Sequence, residues 1–211
     1  MPVKTNREYR KFEGVELRKS EDGRMVVEGY ATTFDQPYRL MGDKDVTINE
    51  QVDRHAFDET DMSDVIMQYD HEGRVFARLS NGTLQLEADD HGLKITADLG
   101  GTEIGRQLFE EIDGGYTNKM SFGFTVTGDK KSRSKDENGH ITVLRTITKI
   151  GKLYDVSAVS LPANDATEIS ARSIGDGLIA EALEEVKAEE ERERRIGEIR
   201  KLLKGDQDHD A

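Results

Sequence analysis

With 211 residues, the chain has room for one domain of roughly 150 to 180 residues plus tails, and two full-sized domains are not expected. Hydrophobic and charged residues each make up 35%, an apolar supply too thin for every residue to share one core, so part of the length should be surface or tail. Acidic residues outnumber basic ones 43 to 30, for a net charge of -13. That balance argues against a direct nucleic-acid role, which would need phosphates to be neutralised. The absence of cysteine excludes disulfides, thiolate metal sites and a cysteine nucleophile.

The first ten residues lack the apolar stretch of a secretory signal. No window approaches the roughly 20 apolar residues that span a bilayer, so a soluble, intracellular product without membrane contact is expected. From Val15 to Ala31 the pattern predicts two strands around Glu21-Asp22-Gly23. Residues 35 to 64 are rich in Asp, Asn, Gln and Thr and read as a long surface connection with one short helix at most. Such a length suggests a binding loop or flap.

Val65-Ile66-Met67-Gln68-Tyr69 is a dense apolar run ending at Asp70-His71-Glu72-Gly73, and Val75 to Leu79 resumes a strand pattern. Leu84 to Ala88 and Leu93 to Leu99 flank Asp89-Asp90-His91-Gly92 and predict a hairpin. Thr102 and Glu103 open a helix with Ile104, Leu108 and Ile112 every four positions and Gly114 to end it. Met120, Phe122, Phe124 and Val126 then share one parity, while Ser121, Gly123 and Thr125 share the other. Ser121 should therefore face away from the large apolar side chains.

Residues 128 to 140 contain no apolar residue and are expected to be a mobile excursion between strands. Ile141 to Ile150 and Leu153 to Leu161 are further strand candidates, stopped by Pro162. Composition changes abruptly at Ser173. In residues 181 to 204, eight glutamates and seven lysines or arginines occupy 15 of 24 positions, which predicts a charged helix. Glu190 and Glu193 sit where a continuous heptad would want apolar residues, so a long coiled coil is not supported. The expected organisation is an N-terminal extension (1–14), one domain (15–172), a charged helical arm (173–204) that docks locally or on a partner, and a disordered tail (205–211).

With no cysteine, hydrolytic chemistry must come from Ser, His, Asp and Glu. His209 is in the tail, His91 and His140 lie beside turn glycines, and His55 sits in a polar connection. His71 alone follows a run that reads as buried strand. A histidine can take a proton from a serine hydroxyl when its other ring nitrogen is held by an acceptor. Ser121 is a candidate partner, since Gly123 reduces crowding beside it. Asp155 interrupts the core-like run Leu153 to Val159 and needs a positive or donating partner, which a histidine would supply. Plainer readings stand beside each: His71 as a hydrogen-bonded strand-end histidine, Ser121 as a small strand position, and Asp155 paired with Arg78, Arg145 or Lys149.

The order V-V-E-G-Y-A-T-T-F-D (26–35), Y-D-H-E-G-R-V-F-A-R (69–78), D-D-H-G-L (89–93), K-M-S-F-G-F (119–124) and L-Y-D-V-S-A-V-S-L-P-A (153–163) resembles the prohead protease family of tailed bacteriophages with HK97-like capsids. The likeness covers about 26 to 172. It implies a mainly β fold with peripheral helices, similar to the herpesvirus maturation proteases: a compact, closed or partly closed β-barrel, here with a charged C-terminal helix. It implies a serine endopeptidase in which His71 and Ser121 match the family's histidine and serine. Asp155 matches the family's glutamate in L-x-E-V-S, one methylene shorter. The implied substrates are the major capsid protein with its scaffold-like region and the protease itself, inside the assembling procapsid in the host cytoplasm. Self-association is a further partner expectation. No cofactor is implied: the histidines form no H-E-x-x-H pair, and G-G-T-E-I-G lacks a P-loop lysine. The alternative is a catalytically silent procapsid assembly or scaffold component that keeps the protease fold and binds through its helical arm.

Overall fold

The protein is described here from a computed structural model, which describes residues 7–16, 18–19, 24–159 and 165–205. The predicted turn at Glu21-Asp22-Gly23, the stop at Pro162, His209 and residues 206–211 of the tail lie outside the described residues. In chain order the strands are β1 (Glu8–Glu16), β2 (Arg18–Lys19), β3 (Val26–Thr33), β4 (Tyr38–Gly42), β5 (Val46–Val52), β6 (Ile66–Tyr69), β7 (Glu72–Arg78), β8 (Leu84–Ala88) and β9 (Gly92–Asp98). Helix α1 (Glu103–Asp113) follows, then β10 (Lys119–Lys135), β11 (Ile141–Val159) and α2 (Asp165–Gly205).

The mainly β architecture with peripheral helices is present, but the expected barrel is not. The strands form two open sheets, one of seven strands running β1-β10-β11-β5-β4 and one of four running β2-β3-β9-β8. The large sheet branches instead of closing. One side of β11 is taken by β10, and the other is shared end to end by β5, parallel along Ile141 to Ile147, and β6, parallel along Asp155 to Ala158. A barrel needs its first and last strands to pair, whereas β1 and β4 end the path at opposite sides. One core draws on both sheets: Val27, Leu93 and Ile95 from the small sheet meet Met67, Phe122, Phe124 and Val156 from the large one.

Two segments read as polar connection or excursion are strands. In β5, Val46, Ile48, Glu50 and Val52 point inward and Thr47, Asn49 and Gln51 outward, a period of two obscured by the carboxylate at an inward position. The segment after Gly128 continues as β10 to Lys135 and pairs with β11 down to Ile141. Backbone ladders need no apolar side chains once one partner is held. Here Ile141 and Val143 of that partner pack with Val46 and Ile48 against Leu178 and Ala182 of α2. The two strands predicted across residues 141 to 161 are one strand through Val159.

Thr102 caps α1 by accepting a hydrogen bond from the Gly105 amide at 3.0 Å; Gly105, Leu108 and Ile112 are its buried members, and Ile104 of the predicted face is half-buried. Helix α2 begins at Asp165, before the composition break. Besides its apolar contacts it is held by Lys131 to Glu181 at 2.5 Å and Arg133 to Glu189 at 2.6 Å. No helix among the described residues is long and apolar enough to cross a membrane.

A buried ion cluster joins β1, β5 and β11. Arg10 donates from Nε to Glu50 Oε1 at 2.5 Å and from Nη2 to Oε2 at 3.0 Å, and Arg145 Nη1 reaches the same Oε2 at 2.8 Å. The Tyr38 hydroxyl also donates to Glu50. Burial opposes ionisation of Glu50, but attraction to Arg10, its hydrogen bonds and Arg145 outweigh this and lower its pKa. A depressed folded pKa means stability that is present above the unfolded value and lost as pH falls through the folded one. Glu50→Gln should therefore cost about 3 kcal/mol or more at pH 7, by stranding buried cations. Its melting temperature should also fall less steeply than the wild type's on acidification below the ordinary glutamate pKa. Thermal melts at several pH values check both.

Candidate active site

Strand β10 sets the orientation of Ser121. Met120, Phe122 and Phe124 are buried in the core, so the pleat turns Ser121 and Gly123 to the other face. Antiparallel pairing places Ser121 opposite Ser157 and Gly123 opposite Asp155, so all four share that face. A Cβ at position 123 would lie 2.4 Å from Asp155 Oδ2 and 2.8 Å from Tyr9 Cε1. The glycine thus makes room for the carboxylate.

His71 arrives from the other side of β11. Strands β6 and β7 pair up to Tyr69 and Glu72, leaving Asp70 and His71 as a two-residue hairpin loop. Both have positive φ, 48° and 61°, as a type I′ turn requires, and aspartate and histidine tolerate that region better than most residues. The Asp70 amide donates to the Ala158 carbonyl at 3.0 Å, which pins the turn to β11 and brings the imidazole over the Ser121 face.

The three groups predicted from the sequence meet. His71 Nδ1 is 2.5 Å from Asp155 Oδ1, and Nε2 is 2.5 Å from Ser121 Oγ. An ionised carboxylate only accepts, so Nδ1 carries the ring proton and Nε2 faces the hydroxyl as an acceptor. The plainer pairings of Asp155 are not made. Arg145 is engaged by Glu8, Glu50 and Asp129, Lys149 by Glu59, and Arg78 by Asp64. Among the described residues, the cation paired with Asp155 is Arg7, with Nη1 3.8 Å from Oδ2.

Sequence reading missed four participants. Ser157 donates to Asp155 Oδ1 at 3.0 Å; its shared parity with Asp155 in the same strand was an available signal. The others come from β1 and the residue just before it, and no motif announced them. The Tyr9 ring lies 4.5 Å from the imidazole, centroid to centroid, and Arg7 sits 3.8 Å over the Tyr154 ring. The backbone carbonyl of Arg10 accepts from Ser121 Oγ at 3.0 Å.

Under this cover the triad is almost dry: Ser121 is 1% exposed and the His71 side chain 5%. A concavity of about 390 Å³ lies between the β6–β7 hairpin and α1, lined by Tyr69, Phe76 and Ile104 among others. None of the three triad residues lines it. The remaining described histidines lie elsewhere. His55 pairs with exposed Asp58 at 3.1 Å, His140 bonds Thr47 and the Lys44 carbonyl, and His91 stacks edgewise on Tyr30. The D-D-H-G-L string is a turn: Asp89 Oδ1 accepts from the amides of His91 and Gly92 and contributes nothing to the triad.

A buried serine, histidine and carboxylate in hydrogen-bonded sequence is the constellation of acyl transfer, recognised by geometry whatever the fold. No curated protein and no solved structure matches the chain. The family model of the caudovirus prohead serine proteases matches residues 13–179, a span that holds His71, Ser121 and Asp155 and leaves Arg7, Tyr9 and Arg10 outside. By that match over most of its length, the chain belongs to the caudovirus prohead serine proteases, the serine endopeptidases of phage procapsid maturation.

Proposed function

We propose that Ser121 is the nucleophile of this endopeptidase, His71 its general base and acid, and Asp155 the carboxylate that orients the imidazole. The observation that carries the reading is the unbroken path from Asp155 Oδ1 through both ring nitrogens to Ser121 Oγ, with each link at 2.5 Å. His71 Nε2 takes the hydroxyl proton as Oγ bonds to the peptide carbonyl carbon, then delivers it to the leaving amine as the C–N bond breaks. Water, deprotonated by the same nitrogen, releases the acyl group and restores the serine. Asp155 holds the tautomer that leaves Nε2 free to accept and stabilises the imidazolium formed in each half-reaction.

The substrates in this reading are the major capsid protein's scaffold-like region and the protease itself, cut inside the procapsid as it assembles in the host cytoplasm. Co-expression with the capsid protein tests it. Wild type should shorten the capsid protein, while Ser121→Ala and His71→Ala should leave it full length by gel and mass spectrometry without preventing assembly. Residual processing should be at least about 10⁴-fold slower. Processing by Ser121→Ala at the wild-type rate would remove Ser121 from the role.

We propose that the chain is divided into an extension at 1–14, the protease domain at 15–172, an arm at 173–204 and a tail at 205–211. The arm promotes packaging or scaffold contact and is removed by self-cleavage. Support comes from its charge density and from the exposure of Leu183 and Ile196. Mass spectrometry of mature particles should find the protease shortened at its C-terminus, and an intact C-terminus there would count against removal.

A further inference from the structure

Ser121 is the nucleophile in the reading above, on which this inference rests, yet no peptide can reach it while β1 is in place. Strand β1 is an edge strand of the large sheet, and among the described residues its partner in that sheet is β10. Its ladder is continuous from Glu8 to Phe12 and irregular beyond, between Phe12 and Glu16. The opposite edge of β10 is taken by β11. The edge that β1 covers is therefore the one along which an extended substrate could add a strand beside the nucleophile, the general mode of peptide recognition by β-augmentation.

What β1 presents there lies where a substrate strand would add, turned so that a carbonyl oxygen rather than its carbon faces the nucleophile. Arg10 directs its main-chain carbonyl at Ser121 Oγ, 3.0 Å away. Its side chain leaves on the opposite face, where Arg10 is 2% exposed. There the guanidinium meets both carboxylate oxygens of Glu50 and lies 5.8 Å from the Phe124 ring. Apart from Glu8, which belongs to β1 itself, the charged groups fixed around this pocket are Glu50, Asp129 and Arg145. One cation stands against two carboxylates, so with β1 removed the pocket keeps a net negative charge. A planar fork against a buried carboxylate selects arginine over lysine, and either over a neutral or acidic side chain. The hydroxyl has a single proton and two acceptors, the Arg10 carbonyl and His71 Nε2. When the proton is given to the carbonyl it is not shared with the base, and β1 is held uncut.

We propose that β1 is an internal substrate mimic: it closes the active site until displaced, and the segment that replaces it is an extended peptide with an arginine in the Arg10 position, cut on the C-terminal side of that arginine. Glu50 is then the specificity-determining residue, and Tyr9, packed on the imidazole, is part of the closure.

The test uses the full chain and internally quenched peptides copying residues 7–16, with arginine, lysine, glutamine or glutamate at the Arg10 position. Wild type should cleave them slowly. Arg10→Gln, which removes the anchor, and Tyr9→Ala, which leaves the buried ion cluster intact and so remains informative if Arg10→Gln does not fold, should raise kcat/KM at least 10-fold. In the opened forms the arginine peptide should exceed the glutamine peptide at least 30-fold, with mass spectrometry placing the cut after arginine. Equal rates for wild type and folded Tyr9→Ala, indifference to the residue at that position, or no peptide cleavage while capsid protein is still processed in a Ser121-dependent way would each overturn the inference and leave the protease assignment of Ser121 standing. Capsid processing unchanged by Ser121→Ala would instead defeat both.

Discussion

Asp155→Asn should leave the fold intact and slow capsid-protein processing by about 10⁴-fold, the scale on which loss of the orienting carboxylate acts in serine hydrolases. The substitution is nearly isosteric and removes the negative charge beside His71 Nδ1. An amide can turn its NH₂ toward Nδ1, which moves the ring proton to Nε2 and points a donor, where an acceptor is required, at Ser121 Oγ. The other hydrogen bond to Oδ1 comes from Ser157, itself a donor, and the ion-pair partner of Oδ2 among the described residues is Arg7, a cation, so neither contact replaces the lost charge. Processing rates, with thermal melts confirming that the variant is folded, give the answer. A variant within tenfold of wild type would strip Asp155 of this role. The aspartate reaches the imidazole because the left-handed Asp70-His71 turn, pinned to the Ala158 carbonyl, brings the ring down to it.

Gly123→Ala should also slow processing, by about 10²-fold, although the residue carries no functional group. Its new Cβ would stand 2.4 Å from Asp155 Oδ2 and 2.8 Å from the Tyr9 ring, both inside any tolerable contact. Tyr9 is on an edge strand and can retreat. Asp155 is on the central strand of the branched sheet, with β10 on one side and β6 on the other, and can relieve the clash only by turning its carboxylate away from His71. A displacement of about 1 Å in a reacting array costs on the order of 10²-fold in rate. Forcing a methyl into a packed site should also lower stability by about 1 to 3 kcal/mol. Steady-state kinetics and a denaturant titration measure the two effects separately. A wild-type rate would mean that the carboxylate position is less constrained than the packing indicates.

How much of this was legible beforehand follows from the range of each interaction. The β8–β9 hairpin, α1 and the outward turn of Ser121 were readable because each depends on neighbours a few residues away: turn chemistry, a 3.6-residue period, and a two-residue period against three bulky side chains. Strand β5 was misread because Glu50 breaks its inward pattern, and that carboxylate is tolerable only with Arg10 and Arg145 already in place, from segments 40 and 95 residues distant. The polar part of β10 was misread because a ladder against a well-anchored partner needs no apolar side chains. The barrel was misread because inward and outward alternation is the same in a closed barrel and in open packed sheets. Only the pairing of edges distinguishes them.

The amino-acid sequence by itself determined the family and its chemistry and singled out His71, Ser121 and Asp155 as the candidate groups, since a motif string records which side chains sit at which strand positions. Tertiary structure decided that those groups converge, because their approach depends on the register of β11 against two strands at once. It also decided what covers them: Tyr9 and Arg10 lie in an edge strand, with Arg7 just before it, whose significance comes entirely from its partner, and a backbone carbonyl directed at a serine leaves no trace in the identity of the residue that bears it.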